Sequence, residues 1–283
     1  MATRKKGRSA IGLVIIGAAA WLTSTAPAMI ATAAPLDLHF QNFYDPSKTG
    51  AEKVDSGGFS LLMRELSLVM GPRMSGPAAS MGMLGMEVAY ELSFAGVHSE
   101  AKYWVDAADK PQGTVRSGQL RVRKGLPFGL QTGASLTHLF DSNMWAIGAE
   151  GHIALVDGFR NLPDFGVRAN LNSLLGNPNL SMLMLSTDFV LSKSFGIGGV
   201  LSLQPWAAYS FGFTMASAHQ IDVFVNDADI MPETLILRNI NEFSHRAVFG
   251  LRIVATRLSI GGEFMRSFTD NLNVVTGKVG IDF

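Results

Sequence analysis

Asn271-Leu272-Asn273-Val274-Val275-Thr276-Gly277-Lys278-Val279-Gly280-Ile281-Asp282-Phe283 ends the chain. Read alternately, Asn273, Val275, Gly277, Val279, Ile281 and Phe283 fall on one side. Val274, Thr276, Lys278, Gly280 and Asp282 fall on the other. The period is two, with one mostly apolar face, one mostly small or polar face, and an aromatic residue last. A strand of this kind suits a wall between lipid and water.

The same alternation recurs upstream. Leu84, Met86, Val88, Tyr90, Leu92 and Phe94 oppose Gly85, Glu87, Ala89, Glu91 and Ser93. Two Glu interleaved with large apolar residues fit poorly in a strand buried on both sides, and fit well where lipid lies outside and a polar lumen inside. Further apolar faces oppose Arg121 and Arg123; Gln131, Ser135 and Thr137; Glu150 and His152; Arg168, Asn170 and Asn172; Ser186 and Asp188; Ser202, Gln204 and Trp206; Arg246 and Arg252; and Ser259, Glu263 and Met265. The third of these runs is read as starting at Phe128 and the first strand at Leu84. With the terminal strand the count is ten, an even number, as a barrel with both termini in the periplasm requires.

The expected fold class is therefore all-β: a transmembrane antiparallel up-and-down β-barrel of about ten strands with a short N-terminal helix. The two longest connections, near 96–113 and 215–243, follow strands one and seven and fall on the outer side. Two places resist the count. Pro205 removes a ladder donor inside strand seven and implies a bulge or an irregular pairing there. Gln220–Asn226 and Thr234–Ile240 also look strand-like, which leaves twelve strands as the alternative to a projecting hairpin.

Before the barrel, Arg4, Lys5, Lys6 and Arg8 precede the apolar run Ala10–Leu22 and the small residues Ala31-Thr32-Ala33-Ala34. That order reads as a secretory signal peptide over 1–33, cut near Ala33. Its removal leaves 19 Lys plus Arg against 23 Asp plus Glu, so no nucleic-acid partner is indicated. There is no Cys, hence no disulfide and no thiolate metal site. Residues 34–83 form a leader and helix: 34–57 show no sustained period, whereas Phe59, Leu62, Met63, Leu66, Val69 and Met70 make one face of a helix over Ser60–Met70, stopped by Gly71-Pro72. It is either a plug in the lumen or a cap on the periplasmic end. Residues 84–283 are the barrel.

The inward register collects Glu87, Glu91, Glu150, Asp188, Glu263 and Asp282 with Arg121, Arg123, Arg168, Arg246, Arg252 and Lys278. In so narrow a barrel this balanced set reads most simply as a salt-bridged interior. The functional alternative is a polar solute path, with Arg121, Arg123 and Arg168 meeting anionic groups. Glu150 and His152 share a face and are expected to hydrogen-bond. His138, outward near the outer edge with Ser142 nearby, lacks a placed carboxylate and falls short of a catalytic set. No His pair has metal-ligand spacing. Neither an enzymatic role, a metal nor a cofactor is expected.

The terminal strand with Phe283 resembles the C-terminal signature of bacterial outer-membrane β-barrel proteins. In that family the last Phe closes the barrel and is read by the assembly machinery. Phe59–Phe94 and the run Arg121–Ser135 look like a group of uncharacterised proteobacterial outer-membrane barrels. The helix before the barrel is similar in placement to the hatch of long-chain fatty-acid transporters. The resemblance implies residence in the outer membrane, with its lipid, lipopolysaccharide and the barrel assembly machinery as partners. The expected function is a narrow or plugged channel for a small or amphipathic solute. The alternative is a structural protein anchored by its barrel that binds a partner through long outer loops.

Overall fold

A computed structural model describes residues 34–48, 53–73, 75–219, 221–223, 233–235, 237 and 239–283. Residues 1–33, read from the sequence as a signal peptide, lie outside the described residues.

Ten long strands close on themselves. They are β1 (Met86–Gly96), β2 (Thr114–Gly125), β3 (Leu130–Leu139), β4 (Trp145–Val156), β5 (Asp164–Leu175), β6 (Leu180–Ser192), β7 (Leu201–Ala218), β8 (Ile240–Ala255), β9 (Leu258–Ser267) and β10 (Asn273–Asp282). Every neighbour pair is antiparallel, and the ring closes where β1 pairs β10, from Glu87↔Asp282 to Ala95↔Val274. Past the last pair, Phe283 N donates to Met86 O (2.8 Å) and Met86 N to Phe283 O (3.1 Å). Closure leaves none of the ten long strands as an edge, which is the condition for a sheet to stand in hydrocarbon.

One end of the barrel carries the start of β1, the end of β10 and the connections 126–129, 157–163, 193–200 and 256–257; we call it the turn end. The loop end carries 97–113, 140–144, 176–179, 219–239 and 268–272. The first strand begins two residues later than the alternation suggests, because Gly85 N donates to Gly82 O in a turn. Phe128 stands in the β2–β3 turn at φ 62° and not in the third strand. Among the described residues, Ile221–Val223 and Glu233–Leu235 pair with each other and with no barrel strand, so the twelve-strand alternative falls.

At Pro205 no bulge forms, and the irregular pairing expected as the alternative lies on its β6 side. Leu251↔Pro205 stays in register, and Pro205 O accepts from Lys193 N at 3.2 Å. The imide nitrogen therefore faces β6 just past the last β6 pair, Ser192↔Trp206, and before the short pairing Phe195↔Leu203. The missing donor falls in the gap between two partners, where it costs no ladder bond. The register shift lies instead at Ala154/Val156, between β4 and β5.

Burial alternates along the strands. Tyr90, Leu120, Ile147, Phe189, Leu251, Ile260 and Val279 are among the exposed large apolar residues that cover the outside. Aromatic side chains gather toward both ends, with Phe94, Trp145 and Phe243 at the loop end and Phe128, Phe159 and Phe283 at the turn end. So extensive an apolar belt is tolerable only against lipid.

Two helices complete the fold: α1 (Ser56–Met70) and α2 (Lys102–Ala107), the latter inside the β1–β2 connection, where only a loop is expected from sequence. Helix α1 starts four residues earlier than its periodicity indicates because Asp55 caps it, Oδ1 accepting from Gly58 N at 2.8 Å. It lies within the barrel, touching β1, β2, β3, β7 and β8. Phe59, Leu62, Met63 and Leu66 are fully buried.

Candidate functional site

The interior has two levels. At the loop end the inward strand positions are apolar: Val115, Leu139, Ala146, Leu174, Met182, Met184 and Val274 are all buried. They receive α1 together with the leader residues Leu36, Leu38, Phe40 and Phe43. Three of those rings meet in a cluster: Phe59 stands edge-on to Phe40 at 5.6 Å and to Phe43 at 6.3 Å. The leader is not irregular throughout. Leu36, Leu38 and Phe40 alternate with Asp37 and His39, a short period of two that leads into a turn of 3-10 helix over Gln41–Phe43.

Trp206, Val248 and Met265 are also inward and buried, and belong to the same apolar cluster. Val248 and Met265 do face one another, but Trp206 sits nearer the turn end, opposite Gly250.

The turn-end level is charged. Glu87, Glu91, Arg121, Arg123, Arg168, Asp188, Arg246, Arg252, Glu263 and Lys278 are buried on the inward register, and the side chain of Glu150 is 8% exposed. Glu87 is the hub, with Lys278 Nζ at 2.6 Å, Arg252 Nη2 at 2.9 Å and Arg123 Nη1 at 3.4 Å. Glu150 holds Arg121 at 2.5 Å and pairs closely with Arg123. Glu91 meets Arg121 Nε at 3.1 Å. Asp282 meets Arg252 at 2.7 Å. Asp188 accepts from Asn170 Nδ2 at 2.6 Å. Removing one member of such a buried set leaves a charge uncompensated, at a cost of roughly 3–5 kcal/mol. The expected Glu150–His152 bond does not form, since the arginines occupy both Glu150 oxygens and neither His152 nitrogen has a hydrogen-bond partner among the described residues.

Between these walls runs an extended stretch, 71–80, that leaves α1 and heads for the turn end. Arg73, unremarked in the sequence, turns back to cap the helix: its Nη1 donates to Leu68 O (2.6 Å) and its Nη2 to Val69 O (2.7 Å). Below it the wall addresses the main chain. Arg121 donates to Arg73 O (3.0 Å), Lys278 and Arg123 to Ser75 O (2.8 and 3.1 Å), Arg168 to Pro77 O (3.4 Å) and Gln131 to Ala79 O (3.2 Å). Ser75 N donates to Glu263 at 2.6 Å, and Ala78 N to Ser192 Oγ at 3.0 Å. Higher up, Asn172 donates to Met70 O at 3.2 Å. Below Arg73 the gripped residues Ser75, Pro77, Ala78 and Ala79 are small, which lets their backbone come within reach of the wall. Near Ser75, Trp206, Glu263 and Lys278 the leftover space is about 10 Å³, about the size of one water-sized probe.

At the loop end a second carboxylate organises the closure. Glu65, on an otherwise apolar face of α1, is buried and accepts from His98 N (3.1 Å), Tyr103 OH (2.7 Å) and Trp104 Nε1 (2.7 Å), with His98 Nδ1 at 2.6 Å. It ties the first loop and α2 to the plug. Burial and then the Glu65 hydrogen bond push the Tyr103 phenol well above its ordinary range. Nearby, Asp37 accepts from Asn143 N (2.7 Å), Asn143 Nδ2 (2.7 Å), Ser142 Oγ (3.1 Å) and Ala34 N (2.9 Å). Partial burial raises its pKa, but these four donors outweigh that and hold it below the ordinary 3.8. Ser142 is thus engaged with Asp37. His138 faces the Ser142 carbonyl at 3.2 Å and packs on Trp145 at 4.2 Å between ring centres, so the two side chains form no catalytic pair.

No family model matches the chain, and no curated protein matches it. Among solved structures it overlaps the KdgM porin in complex with disordered oligogalacturonate at TM-score 0.34 and 6% identity, over 70% of this chain and 99% of that one. It overlaps the translocator domain of autotransporter NalP from Neisseria meningitidis at TM-score 0.34 and 7% identity, over 81% and 99%. It overlaps Ail, the attachment invasion locus protein of Yersinia pestis, at TM-score 0.27 and 13% identity, over 70% and 97%. Likenesses at this level say nothing of activity. A closed, even-stranded antiparallel ring, apolar outside and charged within, has the architecture of an outer-membrane β-barrel.

Proposed function

We propose that the chain is an integral outer-membrane β-barrel acting as a plugged channel for a small or amphipathic solute, closed at rest by its own residues 56–80. The observation that carries this reading is the bonding of the wall to the plug. Arg121, Arg123, Arg168, Gln131 and Lys278 spend hydrogen bonds on main-chain carbonyls of 73–79, so freeing the plug would uncover a polar, charged passage. A vestibule of about 220 Å³ already stands at the turn end, bounded by the inward residues Gln204, Arg252 and Asp282.

Planar-bilayer recordings test it. The full chain is expected to show small, rare openings, and a chain lacking 35–79 a large steady conductance. Because that deletion also strips the apolar filling, a second variant is needed. Ala78→Cys with Ser192→Cys ties the plug to β6 in a protein without other thiols. The tie should abolish openings, and reductant should restore them. Openings that are unaffected by the tie, with no gain on deletion, would sink the channel reading.

The second reading, an anchored binding protein, is favoured by the loop end. There the leader, α2 and the 140–144 turn join through His39 N to Ala107 O (2.8 Å) and Leu36 N to Asp141 O (2.9 Å) into one built surface.

A further inference from the structure

The path of the chain through the barrel runs opposite to what its export direction suggests. The strand β1 begins at the turn end, yet the residues before it do not stay there. Going backward from Met86, Ser80 N donates to Asp157 at the turn end (2.8 Å). Ala78 binds Ser192, and Ser75 binds Glu263 and Lys278 inside. Met70 meets Asn172 at mid-height. Arg64 then pairs Asp270 at 2.6 Å in the loop-end β9–β10 connection, and Ser60 Oγ donates to Glu242 at 2.5 Å near the loop end of β8. Finally Leu36, Asp37 and His39 bind Asp141, Asn143 and Ala107, all in loop-end connections. A 15-residue helix spans roughly 22 Å, and the ten residues after it add up to about 33 Å when extended. Together they cross a membrane-spanning wall with its apolar band of about 25 Å.

On the outer-membrane reading above, with the long-loop end outward, we infer that the leader is carried through its own barrel and that residues 34–48 stand on the external surface. The chain before Met86 therefore crosses the membrane once more, as an eleventh, non-strand passage held in the lumen. The lower lumen is suited to this because its groups bind main-chain atoms, which every residue offers, and not particular side chains. The barrel is thus a self-occupied peptide conduit, and a peptide segment is the class of occupant that its turn-end half is built to take.

Single-cysteine variants test the inference cleanly, since the chain has no Cys. Lys48→Cys and, as a second exposed position, His39→Cys are treated on intact cells with a membrane-impermeant maleimide, beside Asp109→Cys in the first loop and Asn161→Cys in a turn-end connection. Labelling of Lys48→Cys and His39→Cys as readily as Asp109→Cys, with Asn161→Cys reached only after the outer membrane is permeabilised, is the expected result. If Asp109→Cys labels and both leader positions do not, the threaded path is wrong while the barrel and its orientation stand. If Asn161→Cys labels and Asp109→Cys does not, the orientation fails and the inference with it.

Discussion

Asp37 shows how a single carboxylate fixes the leader to the barrel rim. Its four donors lower its pKa despite the opposing effect of burial, so the contribution to stability is present above the ordinary value of 3.8 and is lost as pH falls through the lower folded value. Amide exchange at Asn143 is therefore expected to stay slow at neutral pH and to quicken only in strong acid. Asp37→Asn should make it fast throughout. Exchange that is slow at every pH in that variant would show that the carboxylate charge is not what holds the turn. Glu65 is a second such tie, set inside an apolar level, and without it three donors would be orphaned.

Among the elements, β7 and β8 are the longest strands, at 18 and 16 residues, and their packing depends on an absent side chain. Gly250 lies opposite Trp206 on the inward face, and a Cβ there would run into the indole ring. The glycine leaves the tryptophan room to lie across the sheet, a pairing that pins register. Gly250→Val is expected to displace the ring and lower stability by about 1–3 kcal/mol, as overpacking does. A downward shift in the urea midpoint together with altered tryptophan emission would register it. A neutral variant would mean the indole has another rotamer open to it.

For the whole molecule, closure depends on the last residue. Phe283 makes two main-chain bonds to Met86 while its ring lies on the exposed outer face, 61% accessible. Replacement of the ring leaves those bonds in place, so Phe283→Ser should slow assembly more than it weakens the finished barrel. Unboiled protein should run at a different apparent mass from boiled protein, and the variant should approach the folded band slowly but reach it. A variant that assembles at the normal rate would remove Phe283 as an assembly signal.

Much of this architecture is written in the period of two. Because strand side chains alternate strictly, residues such as Glu87, Arg121 and Lys278 could be assigned to the inside without coordinates, and ten such runs require an even, closed ring. The short alternation Leu36, Leu38, Phe40 reads as irregular, because three apolar positions are too few to stand out as a period, and only the structure shows that the loop-end interior is filled with hydrocarbon. What the tertiary structure decided is where the helix goes and what the charges do. An amphipathic face requires cover but does not say whose, and in α1 the cover is the apolar upper wall. An inward arginine is equally suited to a solute, a carboxylate or a backbone carbonyl. Only the path of 71–80 through the lumen shows that Arg121, Arg123 and Lys278 divide themselves between acids and the chain's own main chain. Contacts between residues as far apart as Ser75 and Lys278 follow from closing the ring, and no local pattern encodes them.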